Sequence, residues 1–226
     1  MPSNAPLVKV NAVKNYGGKV TFCEPTLAAR ESTAERIMKE TGSTLVHPYD
    51  DYRIIAGAAT AAYEFLEEVP DLDYLLAPVG GGGLISGTAL SAHYCRRDIT
   101  VIACEPEKAN DAYLSFKEGR IVKIPTTDTI ADGLRTMLSE KTFGIISQYV
   151  SEVVTVTENE IIDAMRFVWE RMKIVIEPSS AVPVAALLSG KIRTHGKKAG
   201  VIISGGNVDL QNLPFGNKQD ICQEKE

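Results

Sequence analysis

Four consecutive glycines, Gly80, Gly81, Gly82 and Gly83, lie in the stretch APVGGGGLISG between an apolar run and a helix-like segment. Each glycine loses more conformational freedom on folding than any other residue, so four in a row need a physical reason. A strand, a glycine-rich turn and a helix beginning near Leu84 form an anion-binding arrangement, because backbone N–H groups and the helix dipole converge on a phosphate. A simple strand-to-helix turn needs only one or two glycines, so the pattern favours a phosphate site.

The glycines match two common nucleotide motifs poorly. A P-loop requires G-x-x-x-x-G-K-[ST], and here Gly82 and Gly87 are followed by Thr88. A Rossmann unit is a closer alternative, because strand, glycine turn, helix and strand are followed by Glu105 about twenty residues on. That motif needs a third glycine where Ser86 stands. A Rossmann-like dinucleotide binder and a non-catalytic phosphate-ligand module therefore remain the alternatives to an enzyme.

A second glycine-containing loop, SGGNVDL at 204–210, directly follows another apolar run. Because the carboxyl ends of parallel strands meet at one edge of a sheet, two such loops can converge on a single ligand. The sequence therefore predicts one site built from segments more than a hundred residues apart.

The elements that must position these loops alternate between strand and helix, which predicts an α/β fold with a parallel sheet. Near-continuous apolar runs at 73–79, 99–106 and 198–206 are typical of strands buried on both faces. Shorter strands are predicted at 19–24, 43–48 and 120–125. Helices are predicted at 27–42, where Gly42 ends the helix, from a Thr157–Glu160 capping box to about Lys173, and over 179–190.

Composition excludes several classes of protein. The formal charge of −5 gives no basic surface for nucleic acid or an anionic membrane, and no apolar run is long enough for a membrane span. The stretch MPSNAPLVKV has neither the charged start nor the apolar core of a signal peptide. The cysteines, without C-x-x-C spacing, indicate reduced thiols of a cytoplasmic protein; they are Cys23, Cys95, Cys104 and Cys222.

Seven segments together resemble the serine racemase and threonine dehydratase family of fold-type II pyridoxal phosphate enzymes. In order, they are HPYDDYRIIAG, PVGGGGLISG, CEPEKANDA, TIADGLR, VTENEI, VWERMKIVIEPSSAV and SGGNVDL. The resemblance covers nearly the whole chain. It implies a doubly wound, tryptophan synthase β-like sheet in a large domain at 51–226, preceded by the remnant of a small α/β domain at 1–50.

The resemblance also implies the cofactor site. The four glycines from Gly80 to Gly83, with Leu84, would cradle the cofactor phosphate, and Ser204 would contact the pyridine nitrogen. A neutral hydroxyl does not force that nitrogen to be protonated, which suits β-elimination better than transamination. Gly133 and Glu177 stand where the family's chain passes the cofactor, although Glu177 is equally explained as a carboxylate at a helix end.

A divalent-cation site is implied at Glu105, Ala109 and Asp111, where the family uses two carboxylates and a carbonyl oxygen. Hard oxygen ligands of this kind suit Mg²⁺ or Ca²⁺. The alternative is a strand-end glutamate beside an aspartate at a helix N-terminus, where the helix dipole favours negative charge.

No catalytic residue is predicted in this chain. The family's Schiff-base lysine lies in an S-F-K-x-R-G-like motif before the glycine loop, and nothing in residues 1–79 matches it. The stretch LSFKEGR contains Lys117 in a similar order, but it follows the glycine loop and is typical of a helix end closed by Gly119. The resemblance thus implies a chain that lacks the family's N-terminal part and is inactive by itself.

The activity implied for the parent enzyme is dehydration or racemisation of a small hydroxy amino acid. The α-proton would be removed and water would leave from the β-carbon. Pyridoxal phosphate and Mg²⁺ or Ca²⁺ are the expected cofactors, and a cytoplasmic homodimer without nucleic acid or membrane partners is the expected assembly. Serine, threonine and 3-hydroxyaspartate all remain open as the preferred substrate.

Overall fold

Within residues 1–215, which the computed structural model describes, four short segments form one sheet whose strands are all parallel. They are β1 (Tyr74–Pro78), β2 (Thr100–Pro106), β3 (Glu152–Val156) and β4 (Ala199–Val201). Nearly every residue of β1 and β2 is buried, as expected when helices cover both faces of a parallel sheet. The predicted α/β class is confirmed, while β3 has no counterpart among the predicted strands.

The strand order is β3-β2-β1-β4. The chain runs outward from β1 through β2 to β3 and then crosses back to place β4 on the other side of β1. Because crossovers between parallel strands are right-handed, this reversal puts the later helices on the opposite face of the sheet. The sheet is therefore doubly wound, and its direction of winding changes between β1 and β4.

Helices cover the two faces of the sheet. The α-helices of the described residues are α1 (Leu7–Asn15), α2 (Leu27–Thr41), α3 (Tyr52–Glu68), α4 (Gly83–Cys95), α5 (Asp111–Glu118), α6 (Glu140–Tyr149), α7 (Glu158–Met172) and α8 (Pro178–Leu188). On one face α4 packs on β1 and β2, with α3 and α6 against it; α8 packs on β1, β2 and β3, with α7 against it. Leu75 and Val101 join Ile85 and Ala89 of α4 in one apolar core.

Local signals in the sequence fix several helix ends. The Thr157 hydroxyl accepts the Glu160 N–H at 3.3 Å, and the Glu160 carboxylate accepts the Thr157 N–H at 2.7 Å, which is the predicted capping box. Gly42 ends α2 and Gly119 ends α5, both with positive φ (71° and 66°), which glycine adopts without strain.

Contacts divide the chain into two units. The larger is His47–Gly206 and contains the whole sheet; the smaller joins Met1–Val46 with the described residues after Gly206 and contains α1 and α2. Their correspondence to a large cofactor domain and a small-domain remnant stays a prediction. Cys23, Cys95 and Cys104 are free thiols, and Cys222 lies outside the described residues.

Three predicted strands are wrong. At 19–24 there is only an isolated bridge between Cys23 and Pro2, and 43–48 and 120–125 are irregular. The side chains at 43–46 are exposed and no strand pairs with them among the described residues. A strand without partners buries too little surface to be stable, and this cannot be judged from local sequence.

None of the helices in the described part of the chain combines the length and apolarity needed to cross a bilayer.

Candidate functional site

The topology brings two loops to one edge of the sheet. β1 and β4 are neighbours, and the Ile202 N–H donates to the Leu76 carbonyl at 2.9 Å. The glycine loop (Gly80–Gly83) follows β1, and the serine loop (Ser204–Gly206) follows β4. Both therefore lie at the carboxyl edge, at the point where winding reverses, which is where doubly wound sheets bind ligands.

The glycine loop is packed too closely for side chains. A Cβ at Gly81 would overlap the ring of Tyr49, and a Cβ at Gly82 would lie 2.7 Å from the Thr142 Cβ. Gly82 also has φ of +90°, a conformation that other residues adopt only with strain. Neighbouring residues thus fill the space that side chains of the loop would occupy. The loop can therefore contact a ligand only through its backbone, including its N–H groups.

Those N–H groups are the strongest sign of a ligand. The loop is buried, and the N–H groups of Gly81, Gly82 and Gly83 donate to no acceptor within residues 1–215. Buried backbone N–H groups without a partner are rare in folded proteins. They precede α4, whose N-terminal dipole favours negative charge. The loop therefore fits an anionic group with several acceptor oxygens, such as a phosphate.

The serine loop is tied to the N-terminus of α8. The Ser180 hydroxyl lies 2.6 Å from both the N–H and the carbonyl of Gly205, and 3.1 Å from the Ser204 hydroxyl. A hydroxyl has one proton and two lone pairs, so Ser180 donates one of these bonds and accepts the others. Ser204 is itself exposed, and its hydroxyl is held at the mouth of the site by Ser180.

Glu177 and Gly133 lie beside the serine loop. Glu177 precedes α8, and its Oε1 lies 3.0 Å from where a Cβ on Gly205 would stand and 3.5 Å from the equivalent position on Gly133. The Gly133 N–H donates to Ser179 at 3.0 Å. The structure therefore brings together three segments that the sequence predicts for one site, although Glu177 also remains a carboxylate at a helix end.

Glu105 and Asp111 form a buried pair at the end of β2 and the start of α5. Glu105 is 0% exposed and accepts the N–H groups of Ala112 and Tyr113 at 3.0 and 2.9 Å. Asp111 is 1% exposed; its Oδ2 accepts the Leu138 N–H at 2.9 Å, while its Oδ1 has no hydrogen-bond partner. Ala109, the third predicted position, lies between them in the sequence and is also buried.

Burial makes this pair electrostatically unusual. Desolvation, reinforced by the neighbouring Asp111, raises the pKa of Glu105 well above its ordinary value, and desolvation raises the pKa of Asp111 to about 6. A cation beside the Asp111 Oδ1 would offset both effects. No group of three His, Cys, Asp or Glu side chains suits a metal within residues 1–215, so a site here needs carbonyl oxygens and water as further ligands.

Lys117 lies where the sequence predicts it. It is exposed in the last turn of α5, two residues before Gly119, and cations are favoured at that end of a helix. Its position follows from helix capping, so the structure offers no reason to give it a catalytic role.

Two contributors to the site are not found by sequence reasoning. Tyr49 packs on Gly81 and Gly83, and Ser180 anchors the serine loop. Ser180 stands in the first turn of α8 after Pro178, where a small polar residue is usual, so local pattern explains it without a ligand. The signal that was available is the position of Tyr49 two residues before the Asp51 cap of α3, which places it outside the helix.

Comparison with known proteins gives a consistent result. The model of a family described as "Pyridoxal-phosphate dependent enzyme" matches residues 1–205. The beta-hydroxyaspartate dehydratase of Paracoccus denitrificans is 47% identical over 215 residues, and the serine racemase of Arabidopsis thaliana is 45% identical over 218 residues. These alignments cover 95% and 94% of this chain, and 68% and 66% of the two relatives.

A solved structure agrees. Maize serine racemase superposes with a TM-score of 0.90 at 41% identity, over 93% of this chain and 65% of the maize chain. The chain thus spans about two thirds of the length of the relatives that it matches.

Proposed function

The chain belongs to the family of pyridoxal-phosphate dependent enzymes, and we propose that it supplies the cofactor-binding part of a serine or threonine dehydratase or a serine racemase. The substrate is a small hydroxy amino acid, from which the α-proton is removed and, in the dehydratase, water leaves the β-carbon. The dehydratase and racemase relatives support this class of reaction. The family match favours pyridoxal phosphate over a dinucleotide as the ligand of the glycine loop. The anion at the loop is then the phosphate of pyridoxal phosphate.

The observation that carries the proposal is the set of buried N–H groups in the glycine loop that find no acceptor within residues 1–215. Gly80, Gly81, Gly82 and Gly83 would hold the cofactor phosphate, and Leu84 would extend this contact into the first turn of α4. Bound pyridoxal phosphate supplies an electron sink for the pair of electrons released at the α-carbon. This chain's residues bind and orient it; no base that moves the α-proton is assigned among them.

Ser204 sets the electronic character of the site. Its hydroxyl is held at 3.1 Å from that of Ser180 and would contact the pyridine nitrogen as a neutral group. A carboxylate in that position would keep the nitrogen protonated and strengthen the electron sink. A hydroxyl leaves the sink weaker, which favours loss of a β-substituent over transamination. Gly133 and Glu177, which lie beside the serine loop, would line the site next to the ring.

We also propose a Mg²⁺ or Ca²⁺ site at Glu105, Asp111 and the Ala109 carbonyl. The partnerless Asp111 Oδ1 and the raised pKa values of both carboxyls support it, because each is relieved by a nearby cation. A cytoplasmic location and a homodimeric assembly are further proposals, supported by the scattered cysteines and by the resemblance to the family.

The proposal is tested by placing a charge in the loop. Gly82→Asp puts a side chain and a negative charge against Thr142, and is expected to abolish binding of pyridoxal phosphate and of inorganic phosphate, measured by calorimetry. Gly144→Asp is the matched control, because a Cβ at Gly144 meets nothing within 4 Å. Equal phosphate affinity in Gly82→Asp and the parent chain would refute the assignment.

A further inference from the structure

The turn at 47–50 packs directly on the glycine loop. A Cβ at Gly81 would lie 2.4 Å from ring atoms of Tyr49, and a Cβ at Gly83 would lie 2.8 Å from the Tyr49 Cβ. Distances this short mean that the Tyr49 side chain rests on the backbone of the loop. Consecutive glycines have no side chains with which to hold their own backbone in one conformation, so neighbouring groups must do so. The direction of the loop's N–H groups therefore depends on where Tyr49 lies.

The imidazole of His47 fixes the shape of this turn. Its Nδ1 accepts the N–H of Asp50 at 2.8 Å and the N–H of Tyr49 at 3.3 Å. Backbone N–H groups can only donate, so Nδ1 is the acceptor and the ring proton belongs on Nε2. The rings of His47 and Tyr49 also meet edge to face, with centroids 4.8 Å apart. One side chain thus holds both the backbone and the ring of Tyr49.

The end of the turn is joined to α6, which contacts the same loop. The Lys141 ammonium donates to the Asp50 carboxylate at 3.2 Å. Thr142, the next residue of α6, lies with its Cβ 2.7 Å from where a Cβ on Gly82 would stand. The turn and the start of α6 therefore both pack on the glycine loop, and the ion pair links them.

We propose that His47 is a positioning residue for the phosphate site. Through its two backbone hydrogen bonds it holds Tyr49 against the glycine loop, and so keeps the N–H groups of Gly81 and Gly83 directed at the phosphate. This inference rests on the proposed function. A histidine that only stabilised the turn would change the melting temperature of the protein and leave its affinity for phosphate unchanged.

The test exchanges one ring nitrogen of His47 at a time. In His47→Asn the amide oxygen stands near the position of Nδ1 and can accept both N–H groups, whereas in His47→Gln it lies one carbon farther out, near the position of Nε2. Inorganic phosphate and pyridoxal phosphate are each titrated by calorimetry into the chain of residues 1–226. His47→Asn should bind both nearly as tightly as the parent. His47→Gln should bind both about tenfold more weakly, because one hydrogen bond to a charged group is worth at least about that factor.

A double-mutant cycle tests whether His47 acts through Tyr49. Tyr49→Ala should weaken phosphate binding by itself, and adding His47→Gln should cause no further loss, because both changes remove the same support. Additive losses in the double variant would overturn this route.

Thr157→Ala controls for stability, because it removes the capping box of α7, which includes neither the turn nor the glycine loop. It should lower the melting temperature and leave phosphate affinity as in the parent. Parent-like phosphate binding by His47→Gln, or equal losses in His47→Gln and either His47→Asn or Thr157→Ala, would overturn the inference alone. Failure of the parent chain to bind phosphate and pyridoxal phosphate would overturn the proposed function as well.

Discussion

At the scale of single residues, Asp111 contributes to how the stability of the cation-free fold responds to pH. Burial raises the pKa of Asp111 from an ordinary 3.8 to about 6, so the folded state holds its proton over a range in which the unfolded state has lost it. The resulting stability is present at low pH and is lost as pH rises through about 6. We expect a loss of about 3 kcal/mol at most across this window.

Urea denaturation in EDTA between pH 3.5 and 7 measures this loss. Asp111→Asn keeps an acceptor for the Leu138 N–H but does not titrate, so its stability should change less over the same range. Asp128→Asn, at an exposed aspartate, is the control. Parallel curves for the parent and Asp111→Asn would show that the buried carboxyl does not contribute.

Glu105 gives the corresponding prediction for the cation. If Mg²⁺ or Ca²⁺ binds the folded state only, millimolar cation raises the melting temperature, and Glu105→Ala removes that rise. Because the ligands must be ionised, the rise should be larger at pH 7.5 than at pH 5, where the pKa of about 6 keeps Asp111 mostly protonated. A rise that persists in Glu105→Ala, measured by thermal denaturation, would indicate nonspecific binding at the surface.

At the scale of elements, the site depends on how α8 holds the serine loop. Ser180→Ala removes the hydroxyl that bonds to both the N–H and the carbonyl of Gly205. We expect a loss of about 1–3 kcal/mol in the free energy of unfolding, because two backbone groups lose their partner. Amide exchange at Gly205 should quicken as well. Ser189→Ala, at the far end of α8, is the matched control and should leave both measurements unchanged.

Elements differ in how far local sequence specifies them. The capping box at Thr157 and the glycine that ends α2 are local signals, and both predictions are confirmed. Strands need partners distant in sequence, which explains the wrong prediction at 43–48 and the unpredicted β3, whose EVVTV pattern is short and mixed. The loops of the site can be recognised in the sequence by their glycines. The approach of Tyr49 to Gly81 cannot, because it depends on tertiary packing.

At the scale of the whole molecule, the chain of residues 1–226 is predicted to hold the cofactor without a specific covalent link. No lysine in it stands in the family's motif, and Lys117 lies at a helix end. Borohydride reduction with pyridoxal phosphate, followed by peptide mapping, should give scattered, substoichiometric labelling. No 2-oxo acid should be released from serine or threonine. A single stoichiometric phosphopyridoxyl-lysine together with turnover would contradict this prediction.

The central claim is that the buried N–H groups of the glycine loop bind the cofactor through its phosphate. Comparing pyridoxal phosphate with pyridoxal, which lacks the phosphate, isolates that contact. By calorimetry, the parent chain and Gly144→Asp should bind pyridoxal phosphate at least about tenfold more tightly than pyridoxal, while Gly82→Asp should show no such preference. Equal affinity of the parent chain for the two compounds would contradict the account.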